Sequence, residues 1–259
     1  MTGVLLITGG SRGIGAATAR LAAQQGYAVA INYRTEAARA EALLGEIRAS
    51  GGEGIAIQAD VAQQDQVARL FREVDQHLGR LRALVNSAGI DGGRETRVAD
   101  LEQPSLERLF ATNVIGTMLC CREAVRRMST AHGGAGGAIV NLSSMAATIG
   151  GRPGRSAYAA SKAAIDSFTI GLAKEVARDG IRANAIRPGV TLTDMTNAVR
   201  RDADLRARVA ATIAMNRCAT PDEIAHPILW LLSDEASFVS GAILDALGGG
   251  FMLAPVASS

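Results

Sequence analysis

Tyr158 and Lys162 stand four residues apart in the run Ser156-Ala157-Tyr158-Ala159-Ala160-Ser161-Lys162. Downstream, Ile165, Phe168, Leu172 and Val176 recur at spacings of three and four, the period of an amphipathic helix. Such a helix puts the phenol and the ammonium on one face, one turn apart. A fixed positive charge beside a phenol favours the phenolate, so the spacing predicts a Tyr158 pKa below the free value of about 10. A phenol so tuned can give and take a proton near neutral pH. Upstream, Ile139-Val140-Asn141-Leu142 reads as a buried strand that ends in Ser143-Ser144. A hydroxyl at that strand end can hydrogen-bond an oxygen presented to Tyr158. Tyr and Lys at this spacing are also an ordinary surface pair, so the rest of the chain has to decide.

A second group of residues has its own chemistry. Thr8-Gly9-x-x-x-Gly13-x-Gly15, with Ser11, Arg12 and Ile14 inside it, lies between a short apolar run and a helical pattern. Glycines there let the backbone approach a pyrophosphate, and the helix N-terminus favours its negative charge. An NAD site then usually shows an acid at the end of the second strand, on the ribose 2′-hydroxyl. That end reads Ala30-Ile31-Asn32-Tyr33-Arg34, with Asn32 where the acid is expected. Arg12 and Arg34 can both reach this corner, and two guanidinium groups suit a 2′-phosphate. The cofactor indicated is NADP, with NAD possible.

The elements that must position these groups are legible. Short strands at 4–8, 28–32, 54–59 and 81–86 alternate with helical patterns that reach residue 25, then span 36–50 and 65–78. Each helix closes on glycine. This β-α-β-α-β-α-β order calls for a parallel sheet with right-handed crossovers. The second half continues it. One long helix is expected over 105–128, with a stripe of Leu106, Phe110, Val114, Thr117, Cys121, Val125 and Met128. A strand at 138–142, the Tyr158 helix to about 178 and a strand at 181–187 follow, broken by Pro188-Gly189. Thr220-Pro221-Asp222-Glu223 is a capping box with Pro at the first helical position, opening a helix to residue 232. A last strand is expected at 242–245. No linker, repeat or low-complexity segment interrupts the chain, which reads as one domain over 1–259.

Composition excludes several classes. The aromatic content is 3%, so the core must be Ala, Val, Ile and Leu, which suits buried parallel strands under helices. A net charge of +2 without a basic run leaves no footprint for nucleic acid. Cys120, Cys121 and Cys218 form no CxxC pair and read as reduced core thiols. His77, His132 and His226 show no metal-ligand spacing, so no metal is expected. The opening apolar run is too short for a signal peptide, and no run approaches the ~18 residues of a membrane span. A cytoplasmic protein that neither binds nor crosses a membrane is expected.

Thr8-Gly9-Gly10-Ser11-Arg12-Gly13-Ile14-Gly15, Asn86-Ser87-Ala88-Gly89, Asn113, Ser143-Ser144, Tyr158-x-x-x-Lys162 and Pro188-Gly189, in this order, resemble the short-chain dehydrogenase/reductase family over nearly the whole chain. The likeness is greatest to its sugar-dehydrogenase and 3-oxoacyl-carrier reductase branches, and the residues do not choose between them. The resemblance implies a Rossmann-type, doubly wound parallel sheet of seven strands with helices on both faces. It implies a tetrad of Asn113, Ser144, Tyr158 and Lys162, with Ser143 the fallback hydroxyl. Tyr158 would exchange the proton, Ser144 would hydrogen-bond the substrate oxygen, and Lys162 would hold the cofactor ribose. Asn113 would support a water linking Lys162 to solvent. Asp60 and Val61 would border the adenine, and Asn86, Ala88 and Gly89 would line the cofactor. Pro188, Gly189, Val190 and Thr193 would lie near the nicotinamide carboxamide. One departure concerns the C-terminal end, where Asp245-Ala246-Leu247-Gly248 replaces the family's frequent Asp-Gly-Gly.

The implied activity is NADP(H)-dependent interconversion of a small carbonyl compound and an alcohol. The alternative is a dinucleotide-binding sensor or scaffold without turnover, for which a complete tetrad has no use. The segment 190–217 reads as a substrate loop. Arg126, Arg127 and Arg178 offer a patch for an acidic carrier protein. A homotetramer is expected: Ala164, Ile170 and Ala173 lie off the stripe of the Tyr158 helix and would leave a second apolar flank, and Phe251-Met252-Leu253 is apolar as well.

Overall fold

The computed structural model describes residues 3–93 and 95–251. Seven strands form one parallel sheet in the order β3-β2-β1-β4-β5-β6-β7: β1 (Val4–Thr8), β2 (Ala28–Tyr33), β3 (Gly54–Gln58), β4 (Leu81–Asn86), β5 (Gly137–Leu142), β6 (Ile181–Pro188) and β7 (Ile243–Ala246). The order reverses between β1 and β4, where Leu6 is paired with Ala30 on one side and Leu84 on the other. That reversal opens a crevice beyond the carboxyl ends of the two strands.

Period-two alternation divides the strand side chains between two cores. Leu5, Ile7, Val29, Ile31, Val85 and Val140 face α1 (Gly13–Gln24), α2 (Ala37–Ala49) and, near the chain end, α10 (Pro221–Leu232). Leu6, Ala30, Leu84, Ile139 and Ala183 face α3 (Gln64–His77), α5 (Gly116–Met128) and α7 (Ser156–Val176). Phe71 on α3 is the one aromatic among the largest fully buried side chains described, as a composition poor in aromatics requires. The capping box at α10 forms as expected: Thr220 accepts from Glu223 N, and Glu223 reaches back to Thr220 N at 2.9 Å.

The helix expected over 105–128 is one rod with a defect. It is α4 (Gln103–Phe110), a π turn (Ala111–Ile115) and α5. The extra residue of a π turn shifts the helical phase. The buried positions are accordingly Leu109, then Thr112, Asn113 and Val114, then Gly116, Thr117, Cys120, Cys121, Glu123, Ala124 and Met128, and the expected Leu106, Phe110 and Val125 are only half-buried. The segment 190–217 holds two short helices, α8 (Asn197–Arg201) and α9 (Ala203–Ala210), after the four-residue α6 (Ala146–Ile149) earlier in the chain. On α7 the expected second flank is narrower than its sequence implies. Ile170 is exposed, but Ala173 is buried against the sheet. Phe251 is exposed, while Met252 and Leu253 lie outside the described residues.

Candidate active site

β5 delivers Ser143 and Ser144 to the carboxyl edge of the sheet, and their roles separate there. Ser143 is buried and its hydroxyl donates to Lys162 O at 3.1 Å, so it fastens α7 to the strand. Ser144 accepts from Ala146 N at 3.1 Å and stands near enough to the Tyr158 phenol to pull its pKa down. The hydroxyl that meets Tyr158 is thus that of Ser144.

Tyr158 lies in the first turn of α7 and Lys162 one turn on. Lys162 is buried, and its ammonium donates to Leu142 O at 2.8 Å. Burial lowers its pKa to about 8, against an opposing pull from the Asp166 carboxylate. The expectation of a depressed Tyr158 pKa is corrected by the geometry. Burial raises it, and the Asp91 charge adds to the rise, while the Ser144 hydrogen bond and Arg155 act the other way. Lys162 Nζ is 5.9 Å from the ring centre and turned to a backbone carbonyl, too distant to outweigh desolvation.

Asn113 sits in the π turn, fully buried. Its Oδ1 accepts from Ile90 N at 2.8 Å, and its Nδ2 donates to Ile90 O at 2.9 Å and to Ser161 Oγ at 3.1 Å. Ser161 in turn donates to Tyr158 O at 2.7 Å. A Cβ placed on Gly89 would stand 3.4 Å from Asn113 Oδ1 and 3.6 Å from Lys162 Nζ, so both groups converge on the backbone just past β4. The four tetrad positions are therefore brought together.

The glycine-rich loop lies at the crevice between β1 and β4. Gly9 has φ +61°, and a Cβ there would come within 2.8 Å of the Ala88 backbone, which donates from its N–H to Thr8 Oγ1 at 3.2 Å. Gly13, at φ +56°, faces the Thr193 methyl, which a Cβ would meet at 3.3 Å. Arg12 forms the N-cap of α1 without a side-chain hydrogen bond, which leaves the first-turn N–H groups for an anion. Loop and uncapped helix fit the pyrophosphate of a dinucleotide, and the half-exposed Arg12 and Arg34 stand nearby.

Other expected contacts fall in different places. Asn32 does not face the crevice. Its amide donates to Ile57 O at 3.3 Å and Ala59 O at 3.0 Å, and its Oδ1 accepts from Gly9 N at 3.3 Å, so it holds the glycine loop against the sheet. Asn86 is turned inward to Asn141 Oδ1 at 2.9 Å, and Asn141 to Thr169. Asp60 accepts from Ala62 N at 3.0 Å and lies 3.9 Å from Arg34, beside buried Val61. Pro188, Gly189 and Val190 leave β6 at the same edge, Gly189 N donating to Ala246 O at 2.9 Å and Val190 O accepting from Ala219 N at 2.9 Å. Arg126 and Arg127 both pair with Glu123, at 3.0 and 2.8 Å, which neutralises part of the proposed carrier patch.

Two features escape sequence reasoning. Arg155 donates to the carbonyls of Asp91 and Gly93 at 2.7 and 2.9 Å and pairs with the Asp91 carboxylate at 3.3 Å. This stitch closes one side of a cavity of about 380 Å³ beside Tyr158, lined also by Thr96, Leu101 and Leu109. Near the glycine loop, Arg39 of α2 and Arg200 of α8 converge with Arg12 on Asp194, at a cleft of about 470 Å³. Both join segments far apart in sequence, with no periodicity to announce them.

Comparison with known proteins places this arrangement. Residues 9–250 match the family model described as enoyl-(acyl carrier protein) reductase. The chain is 47% identical over 246 residues to the uncharacterized oxidoreductase YgfF of Escherichia coli, covering 95% of this chain and 99% of that protein. It is 36% identical over 252 residues to the 3-oxoacyl-[acyl-carrier-protein] reductase FabG of Staphylococcus aureus, covering 97% and 99%. Among solved structures, a dehydrogenase/reductase from Sinorhizobium meliloti superposes with a TM-score of 0.88 at 36% identity, covering 95% of this chain and 94% of that one.

Proposed function

The chain belongs to the short-chain dehydrogenase/reductase family of NAD(P)-dependent oxidoreductases acting on CH–OH groups, and from that premise we propose that it interconverts a small carbonyl compound and an alcohol with NADP(H), Tyr158 exchanging the proton. The observation that carries this reading is the convergence of Tyr158, on the wall of a cavity, with the Ser144 hydroxyl that pulls its pKa down and with buried Lys162 one helical turn away. When bound, the nicotinamide supplies or accepts the hydride.

The chain's own residues do the rest. Ser144 holds the substrate oxygen against the phenol. Tyr158, kept protonated by burial, gives its proton as the carbonyl becomes an alkoxide and takes it back in the reverse direction. Lys162, with a pKa of about 8, titrates close to neutrality and relays charge beneath the phenol. Asn113 fixes the backbone at residues 89–90 against α7 and is the residue through which a water would reach Lys162. Arg12 and Arg34 hold the 2′-phosphate, a role favoured by the absence of an acid at Asn32. Asp60 and Val61 border the adenine, Ala88 and Gly89 line the cofactor, and Pro188 to Val190 with Thr193 close over its nicotinamide end.

The working form is a homotetramer acting in the cytoplasm. Ile115, Met118 and Ile170 are exposed along the π turn, α5 and α7, while Trp230, Phe238 and Phe251 are exposed toward the chain end. Two such sets suit two isologous contacts. The three cysteines are buried free thiols, which suits a reducing compartment, and among the described residues no helix is long and apolar enough to cross a membrane. The decisive experiment follows NADPH absorbance against a panel of sugars, aldehydes and 3-oxoacyl thioesters. Turnover of at least one, lost in Tyr158→Phe, is expected; binding of NADPH with no turnover of any would favour a sensor.

A further inference from the structure

Asp194 is held by three arginines from three elements. Arg39 Nη1, from the first turn of α2, donates to its Oδ2 in a short contact. Arg200 Nη2, from α8, meets Oδ1 at 3.1 Å, and Arg12 Nη1 approaches Oδ2 at 4.0 Å. The neighbouring Thr193 methyl rests on Gly13, so this carboxylate is placed beside the uncapped start of α1. Of the surrounding charges, Glu36 touches Arg39 at 3.4 Å and offsets part of it. Three guanidinium groups against two carboxylates leave a surplus of positive charge.

Planar guanidinium groups that grip a carboxylate grip a phosphate equally well. Arg12 is also the residue that the cofactor reading assigns to the ribose phosphate. A second arginine–carboxylate pair stands just past β2, where Arg34 meets Asp60 at 3.9 Å. We propose that Asp194 is a built-in counter-ion standing where the arginine cluster would otherwise take a ribose 2′-phosphate, that the phosphate displaces it, and that Arg39 is a third phosphate ligand beside Arg12 and Arg34. The inference rests on the NADP reading above. It makes Asp194 a specificity-determining residue. A dinucleotide without the phosphate leaves the Asp194 pairs intact, whereas one with the phosphate must first break them. The carboxylate therefore lowers affinity for NADP(H) selectively, and it ties arrival of the phosphate to release of the 190–217 segment.

Calorimetric titration with 2′,5′-ADP and 5′-AMP, which differ only in the phosphate, tests this on the full chain. Asp194→Asn should tighten 2′,5′-ADP by about three- to tenfold, a modest factor because the pairs are partly exposed, and leave 5′-AMP within about twofold. Arg39→Gln should weaken 2′,5′-ADP by a similar factor with 5′-AMP unchanged. An equal shift for both ligands in Asp194→Asn would mean that the carboxylate only latches the segment, and would overturn the proposal. So would no shift, or tighter 2′,5′-ADP binding in Arg39→Gln. A wild type that binds NAD more tightly than NADP would refute the cofactor reading by itself; a selective gain of 2′,5′-ADP in Asp194→Asn would still support the counter-ion.

Discussion

Lys162 gives its hydrogen bond to Leu142 O at 2.8 Å and stands 5.9 Å from the ring centre of Tyr158, and it is Ser144 and Arg155 that pull the phenol's pKa down. The ammonium therefore sits beneath the phenol without touching its oxygen. Near neutral pH the phenol is the protonated partner, which suits it to reduction, and oxidation of the alcohol should accelerate as pH rises. The two groups act through different atoms and their removal should have different signatures.

Tyr158→Phe should lower kcat by about 10²–10⁴-fold, the range for a lost general acid, while NADPH affinity stays near wild type. Steady-state rates and a fluorescence titration of NADPH measure the two quantities. A Phe variant with near-normal kcat would remove Tyr158 from the mechanism.

Lys162→Met should cost both activity and cofactor affinity, yet stabilise the fold near neutral pH. The native pKa of about 8 lies below the unfolded value of 10.5, so between these the unfolded chain binds more protons and wild-type stability rises with pH. Met removes that dependence. The stability advantage of the variant should shrink by about 2 kcal/mol between about pH 7 and about pH 9.5. Denaturant midpoints at the two pH values check it, and a constant difference would contradict the depressed pKa.

NADPH should bind about ten- to a hundredfold more tightly than NADH, the worth of one charge-assisted contact, and Arg34→Asp should flatten or reverse the ratio. Dissociation constants for both cofactors decide this. A wild-type preference for NADH would refute it.

Asn32→Asp should not create an NAD site, although it restores the acid that such sites usually carry. The side chain is buried and points to the carbonyls of Ile57 and Ala59, which would repel a carboxylate. A loss of about 2–4 kcal/mol of stability, without a selective gain in NADH affinity, is expected. Thermal melts with and without NADH would show it; a stable variant that favours NADH would mean that the carboxylate reaches the ribose.

Light scattering at micromolar concentration should give about four times the 26.8 kDa chain mass. A monodisperse monomer with full activity would end the tetramer reading.

The strands were readily legible because each is a short apolar run bounded by glycine; β1 and β4 coincide with their expected limits. The α10 start was legible because a capping box is a local device. That Asn113, Ser144, Tyr158 and Lys162 would be brought together was legible as an ordered set of motifs. What was not legible depends on contacts across the fold. Ser144 could be separated from Ser143 only once the Ser143 hydroxyl was seen bonded to Lys162 O. The rise in the Tyr158 pKa comes from burial and from Asp91, 67 positions away by subtraction of the residue numbers. The α8 and α9 helices were hidden because their large apolar residues are few, Val199, Leu205 and Val209, and the break at Asp202 interrupts any helical period.

The π turn at 111–115 has a consequence for redesign. Each α-helical residue advances the chain by about 100° around the axis. Deleting one residue there would restore ordinary helical bonds, but it would turn Cys120, Cys121, Ala124 and Met128 away from the core they fill. It would also swing Asn113 or everything beyond it through roughly that angle, away from Ile90 and Ser161. The irregular turn is thus a spacer whose length is set by the site and by the buried face of α5 together, and a repaired helix would put both out of register.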